Sequence, residues 1–469
     1  MDILRKLRTR RFAVAFMILM AASLILATAI PQRTAMNGVE LYRFHADHPG
    51  LSSFISAAGL DHVYTTWWFL GAVFLFALNI SLNLSEQVKS ALRKSRHEAF
   101  PGLERIEKLP LARTLPVPGN ADADIERRVK DALEGKGYRT EGHSNGFIAS
   151  KGVWSAWSIP VFHLGMLIIL AGILISGLTK FNGSSELSEG QTFSGKGGEF
   201  IEKVFGALKL EPALDFQLRL KKYRTENWDN GRPKLYRSTM EVVEHGKPVF
   251  SKDVEMNEPL RYKGYAFYQS KYHGYSASLA LRDKDTGAEV SGYVNFPYME
   301  HPAEIIAKDF NIPQTQYRAT VRFDAAYPDI IVMKVLDNSA PVWEGIVPKE
   351  GSINLGNKQL VFHGMVQWTG IYAARDWGVP VVYTGFAVLV LSIFGIVFVV
   401  PKTFYVCYDG HRMLVGAKAL RGRELFREEF DDVVGKIERI CREHGDSAVL
   451  DRDNVLWPGE HTGDHRACV

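Results

Sequence analysis

Four stretches of this 469-residue chain lack any Asp, Glu, Lys or Arg, although the chain as a whole has 52 acidic and 56 basic residues. The stretches are Phe12–Ile30, Thr65–Leu84, Val153–Leu178 and Trp377–Val400. About 20 apolar residues suffice for a helix to cross a bilayer, so each stretch is long enough. The mean hydropathy is near zero only because the remaining chain is ordinary and charged. The pattern excludes a purely soluble protein and predicts four transmembrane helices.

Cysteine is also scarce. The three cysteines, Cys407, Cys441 and Cys468, all follow the fourth apolar stretch, and residues 179–376 contain none. A disulfide framework is therefore excluded for that long region. No C-x-x-C sequence occurs, which argues against a thiol-disulfide oxidoreductase.

Several catalytic and binding motifs are absent as well. The chain has no P-loop, no G-x-S-x-G, no H-E-x-x-H and no dinucleotide-binding fingerprint. We therefore predict no catalytic residue. The net charge of +4 is small, and no basic domain with interleaved aromatic residues indicates nucleic acid as a partner. Residues 179–376 contain four histidines that lack metal-ligand spacing, so we favour surface or strand positions for His245, His273, His301 and His363.

The positions of Lys and Arg predict the orientation in the bilayer. The leader is basic from Arg5 to Arg11, and residues 85–152 are basic again directly after the second stretch. The link of residues 31–64 has only Arg33 and Arg43. Because positive residues are enriched in cytoplasmic segments, both termini are predicted inside and residues 179–376 outside. The first stretch could instead be a signal peptide cleaved near Ala29, but its length favours a retained anchor.

The predicted fold class is a membrane α-helical protein with a large extracytoplasmic all-β domain and small cytoplasmic α/β elements. Strand-like runs separated by turn residues predict a sandwich or open barrel for residues 179–376. On the inner side we predict a helix over Asp122–Glu134, a hairpin over Gly137–Ala149, strands over Tyr405–Val415 and a helix over Glu424–Glu443. The predicted segments are 1–11 as the basic N-terminus, 12–84 as two helices with a short outer link, 85–152 as a cytoplasmic segment, 153–178 as the third helix, 179–376 as the β domain, 377–400 as the fourth helix, 401–443 as the C-terminal cytoplasmic segment and 444–469 as a disordered tail.

One ionisable residue, His163, lies near the middle of the third apolar stretch. An ionisable side chain at that depth is costly and is therefore a functional-site candidate. Neutral imidazole is a common axial ligand of haem iron, so His163 could bind haem or another metal. It could equally be a structural residue that is hydrogen-bonded to a neighbouring helix or to a carbonyl freed by Pro160. The residues alone leave both interpretations open.

Several segments together carry a resemblance to a known family. They are Ile30-Pro31-Gln32, Trp67-Trp68-Phe69, Phe162-His163-Leu164-Gly165, Asn257–Tyr265, Phe267–Tyr272 and Asp376–Pro380. The run N-x-P-L-x-Y-x-G-Y-x-F-Y-Q within this set is the most specific, because such a series of aromatic residues and glycines is improbable by chance. From about residue 5 to 435, the chain resembles the ResB (CcsB) family of System II cytochrome c biogenesis.

The resemblance implies a multi-pass protein of the inner (cytoplasmic) membrane with a CcsA (ResC) membrane protein as partner. Together they would carry haem b across the membrane and present it to apocytochrome c, with a thiol reductant protein as a further partner. The chain would be a subunit of a holocytochrome c synthetase complex and not an enzyme by itself. His163 would be one axial ligand of the haem iron, and the partner would supply the other. Gly165 would permit close approach of a helix or of the porphyrin.

The resemblance also indicates a docking surface for the partner or for apocytochrome c. It would consist of Pro259, Tyr262, Gly264, Tyr265, Tyr268 and Gln269, although packing inside a core explains these residues equally well. Two features depart from related patterns: Asn83-Leu84-Ser85 replaces a cysteine-containing segment, and Trp67-Trp68 is followed by Phe69, so the W-W-D signature of the partner is missing. Two alternatives remain open, a scaffold for the partner without haem ligation and a b-type electron-transfer membrane protein.

Overall fold

The computed structural model describes residues 7–30, 46–95, 100–117, 123–229, 233–298, 305–409 and 412–454. Several predictions fall outside these residues. They concern Pro31 and Gln32 of the segments that carry the resemblance, Arg33 and Arg43 of the link, His301, Cys468 and the last part of the tail.

Eight α-helices occur in the described part of the chain. They are α1 (Arg10–Ala29), α2 (Pro49–Ala57), α3 (Trp67–Ser95), α4 (Leu103–Glu107), α5 (Ala123–Glu134), α6 (Ser158–Thr179), α7 (Gly378–Phe398) and α8 (Arg423–Asn454). Four of them, α1, α3, α6 and α7, are long and apolar enough to cross a membrane. The four predicted apolar helices are thereby confirmed, and they are consistent with a membrane protein.

Two of the apolar helices differ from the predicted bounds. Val153–Trp157 is a short 3-10 helix, and α6 begins only at Ser158. Pro160 therefore lies in the first turn of α6, where a missing backbone N–H is tolerated. At about 1.5 Å per residue, His163 lies roughly 8 Å from the start of α6. The candidate membrane span nevertheless runs from Val153 to Thr179 and includes the 3-10 helix, so the position of His163 near its middle stays a prediction. Helix α3 continues to Ser95, past the predicted end at Leu84.

The chain divides into two compact units, one of residues 1–20, 73–171 and 380–469 and one of residues 21–72 and 172–379. The first unit contains a five-stranded antiparallel sheet in the order β1-β20-β19-β3-β2. Its strands are β1 (Leu111–Pro116), β2 (Arg139–His143), β3 (Gly146–Lys151), β19 (Lys402–Asp409) and β20 (Arg412–Ala419). The predicted hairpin is thus β2–β3, and it shares one sheet with strands from the C-terminal segment.

Helices α5 and α8 cover one face of this sheet. Helix α5 contributes Ile125, Val129 and Leu133 to the core, spaced so that they share one helical face. Helix α8 contributes Phe426, Phe430, Val433, Val434, Ile437 and Cys441 to the same core. Both predicted helices are confirmed, and α8 extends to Asn454, into the range that was predicted to be disordered.

The second unit contains the β-rich region, with fifteen described strands in three antiparallel sheets. The strands are β4 (Phe181–Ser188), β5 (Thr192–Phe193), β6 (Glu202–Phe205), β7 (Gln217–Asn227), β8 (Pro233–Glu244), β9 (Lys247–Val254), β10 (Leu260–Tyr262), β11 (Tyr265–Asp283), β12 (Glu289–Pro297), β13 (Ile306–Asn311), β14 (Tyr317–Phe323), β15 (Ile330–Asp337), β16 (Ala340–Pro348), β17 (Gly351–Leu355) and β18 (Lys358–Arg375). A seven-stranded sheet has the central order β10-β11-β18-β4-β6, with β12 paired to β11 and β17 to β18; two four-stranded sheets have the orders β13-β14-β15-β16 and β5-β7-β8-β9. The described strands close no barrel.

The long antiparallel pair β11–β18 supports two hydrophobic cores in the second unit. Near one end, Leu279 and Phe362 pack in a core with residues of β13–β16. Near the other end, Phe267 and Ile371 pack in a core with residues of β7 and β8. The pair therefore holds a four-stranded sheet at each end. Strand propensity predicts separate short runs, whereas the structure joins Tyr265–Asp283 into one strand of 19 residues.

Within the first unit, the starts of α1 and α6 meet the ends of α3 and α7. Arg8 pairs with Glu86 at 3.3 Å, and Phe16 stacks on Phe76 with ring centroids 5.1 Å apart. The Trp157 indole donates to Ser95 Oγ at 3.2 Å. A Cβ built on Gly395 would lie 2.4 Å from Ser158 Oγ. The basic residues that flank these helices therefore lie together at one end of the helix group.

Helices α6 and α7 approach so closely that glycine is required at the contact. In the first unit, a Cβ on Gly165 would lie 3.0 Å from Leu389 N, and a Cβ on Gly385 would lie 2.8 Å from Ile169 N. Because the obstructing atoms belong to the backbone, no rotamer change can relieve the overlap. Small residues at such a contact let two membrane helices pack by van der Waals forces.

Replacing Gly385 by Ala should destabilise the protein by about 1–3 kcal/mol, because the new methyl group overpacks the contact. The matched control is Gly71→Ala in α3, where no atom lies within 4 Å of the added Cβ. The control should change stability by less than about 1 kcal/mol, in the favourable direction expected for alanine in a helix. Unfolding of the full chain in detergent micelles measures both. Equal effects of the two substitutions would contradict the contact.

Glu429 should stabilise the first unit in a pH-dependent manner. Burial acts to raise the pKa of Glu429, but hydrogen bonds from Lys402 and Tyr138 outweigh it and lower the pKa below its ordinary 4.5. Stabilisation is therefore complete above about pH 4.5 and is lost as the pH falls through the folded-state pKa. Glu429→Gln should cost about 1–3 kcal/mol at pH 7. Thermal unfolding at pH 7 and in acid should show this difference shrinking in acid, whereas the exposed neighbour change Glu428→Gln should have little effect at either pH.

Candidate functional site

His163 is the ionisable residue of α6, and a hydrogen bond within this helix determines the tautomer of its imidazole. Nδ1 lies 2.9 Å from the carbonyl oxygen of Ile159, one turn earlier on the same helix. Because a carbonyl oxygen can only accept, Nδ1 carries the proton and Nε2 carries the lone pair. The Phe162 ring lies edge-on at 5.6 Å and limits the ring on one side. No described residue is a hydrogen-bond partner of Nε2.

The Nε2 lone pair of His163 is on a side of α6 that α7 does not cover. Gly165 faces α7, and two residues along a helix differ by about 200° around its axis. The side chain of His163 is only partly buried, and its helix neighbours Ile159 and Leu164 are exposed. This face is therefore available to a second protein or to a ligand.

A neutral imidazole held in this way has the requirements of a metal ligand. Metal-binding histidines usually donate their other ring N–H to a carbonyl or carboxylate, which fixes the tautomer and the ring orientation. The sequence left open a hydrogen bond from His163 to a neighbouring helix. The structure shows instead an acceptor in α6 itself, the carbonyl of Ile159. A single imidazole nitrogen suits an axial position of haem iron, because the porphyrin fills the four in-plane positions.

In the second unit, the end of α6 is bonded to the start of α7. Ser176 Oγ donates to Asp376 Oδ2 at 2.6 Å, and the backbone N–H of Gly378 donates to Asp376 Oδ1 at 2.9 Å. A Cβ on Gly378 would lie 2.1 Å from the carbonyl oxygen of Gly172. Beside this cap, burial lowers the pKa of Lys180, and the nearby Asp376 opposes that effect. The two ends of the β-rich region are therefore held together.

The six residues predicted as a docking surface lie close together around the β10–β11 turn. Gly264 has φ +79 in this turn, a conformation that favours glycine. Tyr265 is buried, and its hydroxyl accepts from Arg375 at 2.8 Å and from the backbone of Ala213 at 3.2 Å. Tyr262 donates to Glu244 at 2.9 Å. These contacts are internal to the second unit, and the docking role of the two tyrosines stays a prediction.

Gln269 and the remaining members of this set are also engaged within the fold. Gln269 is 4% exposed, and its amide donates to Thr369 Oγ1 at 2.6 Å and to the carbonyl of Ser270 at 2.8 Å, while Ser238 donates to its oxygen. The carbonyl of Pro259 accepts from Lys252 at 2.9 Å. Tyr268 is partly buried. The exposed aromatic side chain of this run is Tyr272 instead, at 44% exposure.

One polar pair was missed by sequence reasoning. Asp61 Oδ1 lies 2.6 Å from His62 Nδ1, and Ser56 Oγ donates to Asp61 Oδ2 at 3.0 Å. Asp61 is 3% exposed, although it is a carboxylate. The sequence shows an adjacent Asp-His pair shortly before the second apolar stretch. In the link of residues 31–64, however, only the small number of positive charges entered the prediction.

The fold and the site together define a class: a protein with four helices of membrane-spanning length, a large antiparallel β region inserted between the third and fourth, and a lone histidine on the third. The chain belongs to the ResB-like family, which matches residues 10–431.

Three relatives illustrate how far the similarity extends. Cytochrome c biogenesis protein CcsB of Picosynechococcus sp. is 25% identical over 443 residues, which cover 91% of this chain and 90% of the relative. Cytochrome c biogenesis protein Ccs1 of Porphyra purpurea is 22% identical over 461 residues, covering 93% and 97%. The chloroplastic cytochrome c biogenesis protein CCS1 of Arabidopsis thaliana is 24% identical over 444 residues, covering 92% and 78%. This chain is therefore similar to these proteins along nearly its whole length.

Replacing Gln269 by Ala should destabilise the second unit by about 2–4 kcal/mol, because two buried hydroxyl groups lose their partner. The control, Tyr272→Ala, removes an exposed side chain from the same strand and should cost less than about 1 kcal/mol. Limited proteolysis of the full chain as a function of denaturant measures both changes. A larger effect of the Tyr272 change would indicate that the run packs against something other than its own fold.

Proposed function

We propose that this chain acts in cytochrome c biogenesis as a membrane component that handles haem. Membership of the ResB-like family and the names of the relatives support the process. The single observation that supports haem handling is the state of His163. Its Nδ1 is committed to a carbonyl of its own helix, and its Nε2 has no described partner. Haem is the cargo in this proposal and is released to another protein after transfer.

The opposing axial ligand would come from a second membrane protein. Apart from His163, no histidine occurs in α1, α3, α6 or α7. Six-coordinate haem iron within these helices therefore needs a ligand from elsewhere. A partner of the CcsA (ResC) type, docked on the uncovered face of α6, would supply it. Neutral imidazole is the form that binds metal.

The proposed orientation has both termini in the cytoplasm and the β-rich region outside, in the inner membrane. The meeting of the starts of α1 and α6 with the ends of α3 and α7 supports it. Arg8, Lys89, Arg93 and Lys94 gather at this end, as expected for the cytoplasmic side. Apocytochrome c and a thiol reductant protein would then approach the opposite side, where the exposed Tyr272 and Tyr298 offer aromatic contact area.

The test replaces His163 by Ala in the chain that is co-expressed with its CcsA-type partner. We expect the Soret absorbance of the purified complex to fall to background and cytochrome c maturation to stop, and exogenous imidazole should restore both in part. The control is His363→Ala, which removes a histidine of the second unit that contacts Glu350 at 3.0 Å. It should leave haem content unchanged.

Two outcomes would contradict the proposal in different ways. Unchanged haem content and maturation in His163→Ala would identify the chain as a scaffold for its partner. Loss of haem with normal maturation of cytochrome c would identify it as a b-type electron carrier.

A further inference from the structure

A second imidazole with the attributes of a metal ligand lies outside the apolar helices. His62 lies between α2 and α3, in the second unit, and its Nδ1 is 2.6 Å from Asp61 Oδ1. Burying a carboxylate to 3% exposure is expensive unless its oxygens are bonded. Here Ser56 donates to the second oxygen and His62 to the first. The carboxylate is therefore built into the fold and serves as the support of the imidazole.

The contact with Asp61 determines which nitrogen of His62 is free to react. A carboxylate accepts, so Nδ1 carries the proton and Nε2 carries the lone pair. The negative charge behind the ring also makes Nε2 a better electron donor, as in carboxylate–histidine–metal arrangements. The His62 side chain is 39% exposed, and no described residue bonds to its Nε2.

The backbone of Gly59 lies beside this nitrogen. Gly59 has φ +69, and a Cβ on it would lie 3.6 Å from His62 Nε2 and 2.5 Å from Thr66 Cγ2. Any other residue at position 59 would therefore be strained and would collide with Thr66, whereas its contact with the imidazole would be of ordinary length. The exposed Trp67 and Trp68 follow at the start of α3.

The single imidazole of His62 limits which metal-containing groups could bind here. Among the described residues, no group of three or more His, Cys, Asp or Glu side chains could hold a metal ion. A bare metal ion bound by a single imidazole would be held weakly, because structural and catalytic sites use three or four protein ligands. Haem iron needs only axial ligands from the protein, since the porphyrin supplies the other four. A single well-supported imidazole thus fits haem.

We propose that His62, supported by Asp61, is a second haem-iron ligand of this chain, separate from His163 and outside the apolar helices. The inference rests on the proposed function in that haem is the cargo. It adds that one chain offers two sites, which haem could occupy in succession.

The test is haemin titration of the full-length chain, purified without a partner and inserted in lipid nanodiscs, followed by the Soret band. Wild type should bind two haemin molecules per chain. His62→Ala and His163→Ala should each bind one, and the double variant none. Imidazole added to His62→Gly should restore the second site, which shows that the variant is folded. Asp61→Asn should retain the site with about 10- to 100-fold weaker affinity.

The outcomes separate this inference from the proposed function. If His62→Ala binds as much haemin as wild type and as the control His363→Ala, the inference is wrong, whatever His163→Ala does. If His163→Ala leaves the stoichiometry unchanged while His62→Ala lowers it by one, the inference holds, and the co-expressed complex decides the role of His163. Unaltered affinity in Asp61→Asn would refute the supporting role of the carboxylate.

Discussion

The close backbone contact between α6 and α7 is the constraint on which the site depends. It is made possible by Gly165 and Gly385 in the first unit and by Gly172 and Gly378 in the second, where side chains would collide with backbone atoms. Once this face of α6 is closed, His163 can only be on another face. The same contact brings the ends of the β-rich region together, where Asp376 caps the start of α7 and accepts from Ser176. Helix packing and ligand presentation are therefore two results of the same few glycines.

The two histidines argued to bind haem share one chemical arrangement in different surroundings. Nδ1 of His163 donates a hydrogen bond to a helix carbonyl, and Nδ1 of His62 donates one to a buried carboxylate. A carboxylate increases the electron donation of the imidazole more than a neutral carbonyl does, so the two ligands should not bind iron equally well. If both histidines bind haem as proposed, a difference of this kind would give haem transfer a direction, from the weaker to the stronger ligand.

Local patterns in the sequence predicted the elements whose formation depends on residues close together in the chain. The four charge-free stretches became four apolar helices, and the helix predicted over Asp122–Glu134 is α5 with nearly the same bounds. The apolar spacing of Ile125, Val129 and Leu133 predicted α5. What remained hidden depends on distant partners: the burial of Gln269 follows from Ser238 and Thr369, which are 31 and 100 residues away. His62 was overlooked because burial of Asp61, and not its sequence position, makes the pair unusual.

The shared sheet of the first unit has a consequence for biosynthesis. Strands β1–β3 end at Lys151, but β19, which bonds to β3, begins only at Lys402. At about 5–20 residues per second, the ribosome needs roughly 10–50 s to make the intervening chain. During this interval β3 is an unpaired edge, and the apolar face of α5 awaits α8, a state that invites aggregation or cleavage. The sheet can close only after all four apolar helices have been synthesised, so its completion requires every residue as far as β20.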